Sequence, residues 1–203
     1  HGAHQVYEMG VVMKELTEKE LYDAALTLGK HLEFNSLLSE VRALLKQHAP
    51  LEKVVLAGFS PSVSMMTIIS VADRDGVRDI GGKLHVPGEA AKALSGMGAP
   101  VSMLKRASGS GAARLMIERN LLAGDSSLVL MRMIMGKSTI GLMFCTADPG
   151  REFDREHGKL FADLRPVLSL AIGNCLQYRT VLTRHQRLKE DVDFFAGLHS
   201  EPS

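Results

Sequence analysis

No excess of either charge runs through this sequence: 24 Lys plus Arg stand against 23 Asp plus Glu, a formal net charge of +1. A segment without a basic surplus has no electrostatic footprint for DNA, RNA or an anionic membrane, so neither direct nucleic-acid contact nor a membrane partner is expected. Long apolar runs are missing as well. None approaches the roughly 20 residues that span a bilayer, and the start lacks the basic-then-apolar order of a signal peptide, which makes a cytoplasmic protein the expectation. Cysteine is scarce. Cys145 and Cys175 form no CxxC pattern and are too few for a disulfide scaffold, which points to reduced, buried thiols. No Ser-His-Asp, paired-carboxylate or HExxH arrangement can be read from the spacing, so no catalytic residue and no metal site is assigned and the chain is not expected to be an enzyme. Internal repeats and low-complexity tracts are absent too.

Methionine, by contrast, is plentiful: eleven, alongside no tryptophan at all. Met is flexible and polarizable, so Met65, Met66, Met131, Met133, Met135 and Met143 suit either an adaptable ligand site or ordinary core filling. At 203 residues the chain fits one domain with helical extensions. The opening "HGAHQVYEMG" has no amphipathic period, and residues 1–13 are read as an appended remnant or a disordered start.

Leu16, Leu21, Ala25, Leu28 and Leu32 recur close to helical spacing, and a second such pattern, Leu37, Leu38, Val41, Leu44 and Leu45, stops before Pro50. Two helices therefore precede the first strand. "KVVLAGFSP" and "SVSMMTIISVAD" are rich in β-branched residues and divided by a Ser-Pro turn, a hairpin whose second strand is closed by Asp75-Gly76. Residues 81–124 are broken repeatedly by "GGKLHVPGE", "SGMGAP" and "SGSGAAR", and so long an irregular connection in a compact domain is usually functional. Ser110 is placed to cap a short helix within it. "SSLVLMRMIM" and "STIGLMFCTA" follow as strands turning at Gly136-Lys137, apolar at nearly every position, so both faces of their sheet are expected to be covered. Asp154 then caps a long helix. Leu164, Leu168, Ala171, Cys175, Tyr178 and Leu182 follow in alternating steps of four and three, the seam of a coiled coil, which suggests a homodimer helix.

Several features invite a site. "GKST" at 136–139 lacks the earlier Gly of a phosphate loop and sits between two strands, so it reads as a turn. "GSGAAR" offers small residues at a helix start, a weak phosphate signal. His85 lies in the irregular connection beside Pro87, where it could touch a ligand. Arg132, inside an apolar strand, requires an acidic partner, a ligand anion or an exposed position. With an even hairpin loop, Met131 and Met133 share a face with Ile140, Leu142 and Phe144, while Arg132 joins Gly141, Met143 and Cys145; an odd loop reverses this. On the even reading the Met-rich face is the ligand side, Arg132 anchors a helix carboxylate, and Gly141 admits a close-packed helix.

The order of elements, with "STIGLMFCTADPGREFDREHGKLFADLRPVLSLAIGNCL" as its most specific part, resembles a GAF domain over residues 16–182. The resemblance implies an α+β fold: a central six-stranded antiparallel sheet, terminal helices on one face and a ligand pocket on the other, capped by residues 81–124. Met66, His85, Met103, Arg114, Met131, Met133 and Phe144 are then the candidate ligand-binding residues. "ELYDAALTLGKHLEFNSLLSEV" and "RLKEDVDFFAGLHS" also resemble the flanks of sensor domains in bacterial sigma-54-dependent transcriptional activators. On that likeness residues 14–182 form the sensor domain, and residues 183–203 a helical linker toward an output domain. An unidentified small molecule is the implied ligand, with no cofactor named. The cyclic-nucleotide subtype's Asn-Lys-Phe-Asp-Glu set has only loose counterparts in Phe153, Asp154 and Glu156. Bilin-binding and sulfoxide-reducing members place cysteines at the pocket, whereas Cys145 and Cys175 fall in the last strand and last helix. Two alternatives stay open: a small redox enzyme using Cys145 as nucleophile, and a ligand-free dimerisation module.

Overall fold

A computed structural model describes residues 16–95 and 97–198, so the expectation for residues 1–13 lies outside the described residues. The chain begins with α1 (Glu18–Gly29) and α2 (Phe34–Lys46). Thr17 opens α1 with a reciprocal cap: its hydroxyl accepts from the Glu20 N–H at 3.2 Å while the Glu20 carboxylate accepts from the Thr17 N–H at 2.7 Å. Strands β1 (Leu51–Ser60) and β2 (Met65–Asp73) pair as the expected hairpin, and β3 (Gly76–Asp79) turns back on β2 at Gly76, whose φ of +116° suits glycine.

The irregular connection holds β4 (Lys83–His85), α3 (Gly88–Ser95), β5 (Val101–Leu104) and α4 (Gly111–Glu118). Ser110 caps α4 as the sequence suggests, its hydroxyl accepting from the Ala113 N–H at 3.3 Å. Then come β6 (Leu128–Met135), β7 (Ser138–Ala147) and the closing helix α5 (Arg155–Leu198). The sheet is antiparallel in the order β3-β2-β1-β7-β6-β5, with β4 also on β2. It has seven strands against the six expected. The extra one arises because β3 and β4 occupy successive halves of the same β2 edge.

Both faces are covered. Helices α1, α2 and α5 bury one side with Leu37, Leu38, Leu56, Met143, Phe161 and Leu168 among its residues. The 81–124 connection covers the other, over Val55, Met66, Leu128, Leu142 and Phe144. This explains why β6 and β7 are apolar at nearly every position rather than at alternate ones.

The seam noticed in α5 has a different partner from the one expected. Leu164, Leu168, Ala171 and Cys175 are all buried, packed with α1, α2 and the sheet of the same chain. Only past the sheet does the row emerge, with Leu182 exposed.

The β6–β7 hairpin corrects the face assignment. Its loop is the two-residue Gly136-Lys137, as supposed, but the register shifts between Met133 and Ile134: Ile134 faces Thr139 whereas Met133 faces Gly141. Ile140 is thus an extra residue in β7, and one extra residue exchanges the faces beyond it. Met131 and Met133 join Met143 and Cys145 on the helix side, and Arg132, opposite Leu142, joins the connection side. The bulge is held by α5. Ser169, itself buried, offers its Oγ to the Ile134 N–H at 3.2 Å, so the amide released from the ladder keeps a partner. Gly141 serves a strand and not a helix: a Cβ there would lie 2.8 Å from the Ala57 carbonyl of β1.

Candidate functional site

The side of the sheet under the connection is the candidate site. Strand alternation brings Val55, Ala57, Met66, Leu130, Leu142 and Phe144 to it, and the connection lowers Leu94, Ala112, Ala113 and Met116 onto them. The cover is fastened at its far end, where the Ala107 N–H donates to the Ser126 carbonyl (2.8 Å) and the Ser108 N–H to the Gly124 carbonyl (3.0 Å). Met66, Met116 and Phe144 have no exposed surface, so this side is filled by its own side chains.

Of the seven residues singled out from the sequence, two meet here: Met66 and Phe144. Met131 and Met133 are carried to the helix side by the Ile140 bulge. Met103 also faces α5, its sulfur lying over Gly158. His85 pairs with Met65 in β4 and is exposed, because alternation turns Leu84, not His85, into the apolar cluster. Arg114 is exposed on α4 with its Nε donating to the Ser108 carbonyl at 3.0 Å, fastening the connection from outside.

Arg132 enters instead. It is half-buried beside Leu142, its backbone N–H donates to the Pro100 carbonyl at 2.8 Å, and its Nε is buried without a hydrogen-bond partner. Among the described residues no carboxylate pairs with it. The sequence raised Arg132 as a burial problem, and only the bulge decided which face carries it.

The cysteines sit away from this side. Cys145 is fully buried on the helix side, and burial pushes its thiol far above the ordinary range; Cys175, on α5, is raised by burial to about 11. Neither is a ready thiolate. Among the described residues no group of three His, Cys, Asp or Glu is placed to hold a metal ion. A feature the sequence reading missed is an open cleft of about 570 Å³ where α5 leaves the sheet, lined by Ser60, Met65, Ile140 and by Arg179, Arg184 and Arg187 of α5. Arginines sharing one helical face just beyond the buried row were its available signal.

The start of α5 is set electrostatically. Asp154 Oδ1 accepts from the N–H groups of His157 (3.0 Å) and Glu156 (2.9 Å) and lies 2.7 Å from His157 Nδ1. The His157 N–H, against the opposing effect of burial, leads in holding the Asp154 carboxyl below its ordinary value, aided by the His157 ring and the Glu156 N–H. A depressed folded pKa favours the native state above the ordinary carboxylate range and loses that contribution as pH falls through the folded value. Asp154→Ala is therefore expected to cost about 0.5–2 kcal/mol at pH 7. In urea melts at successive pH values, its deficit should close below about pH 4; a deficit constant with pH would refute the assignment.

No protein-family profile matches the chain, and no curated protein matches it significantly in sequence. Solved structures do match. The chromophore-binding domain of an unusual bacteriophytochrome from R. palustris superposes with TM-score 0.56 at 10% identity, covering 79% of this chain and 61% of that one. Residues 122 to 287 of a methyl-accepting chemotaxis protein give TM-score 0.56 at 14% identity, over 78% of this chain and 98% of that one. A far-red absorbing dark-state protein with bound biliverdin gives TM-score 0.59 at 12% identity, over 76% and 98%. The chain thus spans less than two thirds of the first neighbour's length. These likenesses establish the fold, which is GAF-like, α+β with an antiparallel sheet and flanking helices.

Proposed function

We propose that this chain is a ligand-sensing regulatory domain of GAF type, which holds a small molecule on the connection side of its sheet and passes the bound state to an output domain through α5. One observation carries the reading: α5 is a single 44-residue helix, about 66 Å long at 1.5 Å per residue, whose first half packs on the sheet and whose residues from 179 stand exposed as far as the described side chains reach. Its Ser169 grips the β6–β7 bulge at the Ile134 amide, two residues along β6 from Arg132 on the connection side. A ligand shifts such a helix only as far as its affinities for two arrangements differ.

The biliverdin of one structural neighbour is not carried over. Both cysteines lie on the helix side, which does not suit attachment on the connection side. The burial of Cys145 likewise speaks against the nucleophile of a redox enzyme. The resemblance of the flanking segments supports a cytoplasmic sigma-54-dependent transcriptional activator as the parent protein, with DNA contact left to other segments.

A homodimer is part of the proposal, and an outward stripe on α5 supports it. Leu170, Val181 and Leu188, each about 60% exposed, continue through Asn174, Gln177 and Arg184 in alternating steps of four and three. The double variant Val181→Asp, Leu188→Asp is expected to turn a dimer into a folded monomer in sedimentation velocity; an unchanged dimer would put the contact on another face.

Native mass spectrometry of the purified chain, before and after denaturation, tests the sensing itself. Release of a small molecule supports the sensor. An empty dimer favours the other reading, a ligand-free dimerisation module, for which the full burial of Met66, Met116 and Phe144 speaks.

A further inference from the structure

Arg132 is the one described residue with a buried side-chain nitrogen or oxygen that lacks a hydrogen-bond partner. Among the described residues the guanidinium makes no ion pair either, and it stands in a strand whose neighbours on the same face, Leu130 and Leu142, are buried apolar side chains. The buried Nε left without a partner is costly, whereas an apolar residue of similar volume at this position would carry no such penalty. Strand propensity and packing therefore give no reason for arginine here. Of the three conditions that an arginine in an apolar strand can satisfy, an acidic partner is absent among the described residues and full exposure is not met. An anion from outside the chain is the third.

We propose that Arg132 is the anion-recognition residue on the connection side, and that the ligand is an apolar monocarboxylic acid. The guanidinium fork matches a planar carboxylate bidentately. A single positive charge is balanced by a single negative one, while a phosphate dianion would leave a second charge unpaired beside Leu130, Leu142 and Phe144. The acid's apolar body would extend over these side chains toward Met66 and Met116, which are flexible enough to repack around it. Binding at Arg132 would be felt two residues along β6, at the Ile134 amide that α5 holds through Ser169. This inference rests on the ligand-sensing reading and names the ligand class within it.

The test is a thermal-shift and calorimetric titration of the full chain with isobutyrate, hexanoate and benzoate, against benzamide and inorganic phosphate. At least one acid is expected to raise the melting temperature saturably, with benzamide and phosphate silent. Arg132→Met should fold, melt no lower than the parent without acid, and bind the same acid at least about tenfold more weakly, the loss of a charge-assisted hydrogen bond. Arg132→Lys should fall between, because it keeps the charge and loses the fork. Silence toward all three acids overturns the proposal, as does equal binding by Arg132→Met, the result if the guanidinium merely reaches water. Should native mass spectrometry release a neutral or cationic ligand, the carboxylate class is refuted while the sensor stands; an empty protein silent to every acid ends both.

Discussion

Replacing Phe144 by alanine is expected to lower the free energy of unfolding by about 3–5 kcal/mol, measured as a shifted urea midpoint at unchanged slope. Phe144 lies in β7 between Val55 of β1 and Leu130 of β6, has no exposed surface, and belongs to the apolar cluster beneath the connection. Truncation removes the ring's transfer energy and leaves a cavity, which the paired strands on either side resist closing. The site gives the number a second meaning. A cost below about 1 kcal/mol would show that the connection side is not packed in solution as described, because an already open pocket loses little when one wall is trimmed. A full cost would show a closed side that a ligand must open at the expense of contacts among Phe144, Met66 and Met116.

Gly141→Ala is expected to cost about 1–3 kcal/mol, and Gly141→Val more. The reason is space, since Gly141 has no left-handed φ to protect. Its missing Cβ would fall 2.8 Å from the Ala57 carbonyl, and that carbonyl belongs to the backbone of a strand paired on both sides. The neighbour cannot swing away as a side chain would. Glycines on α5 offer the contrast: at Gly173 a Cβ would meet the end of the flexible Met135 side chain, so Gly173→Ala should cost less than Gly141→Ala in parallel urea titrations. The reverse order would mean that β1 and β7 are less closely apposed at the bulge than α5 and Met135.

Much of the architecture was written locally. The two opening helices, the capping roles of Ser110 and Asp154, the end of β2 ahead of Asp75-Gly76, the hairpin turn at Gly136-Lys137, and the double covering of β6 and β7 all follow from residues within a few positions of the feature itself. Periodicity, capping and turn chemistry act at that range, which is why the order of elements could be read from the chain alone, whereas the α+β class came with the family that this order resembles.

The candidate site was legible only in part, because its facing depends on contacts between distant segments. Met66 and Phe144, both named as candidates from the sequence, lie together on the connection side. Met131, Met133 and Arg132 were each assigned to the wrong face by counting through a two-residue turn, and the count failed at Ile140, a bulge held where Ser169 accepts from the amide of Ile134, thirty-five positions away. The seam of α5 was real as a pattern, yet a row of apolar residues does not say whether it meets its own sheet or a second helix. What the sequence by itself determined was where strands and helices begin, end and alternate, since those choices are made by neighbouring residues. Which residues share the connection side, and that Arg132 reaches it without a partner among the described residues, only the tertiary structure decided, because a single inserted residue in one strand reverses every side chain beyond it.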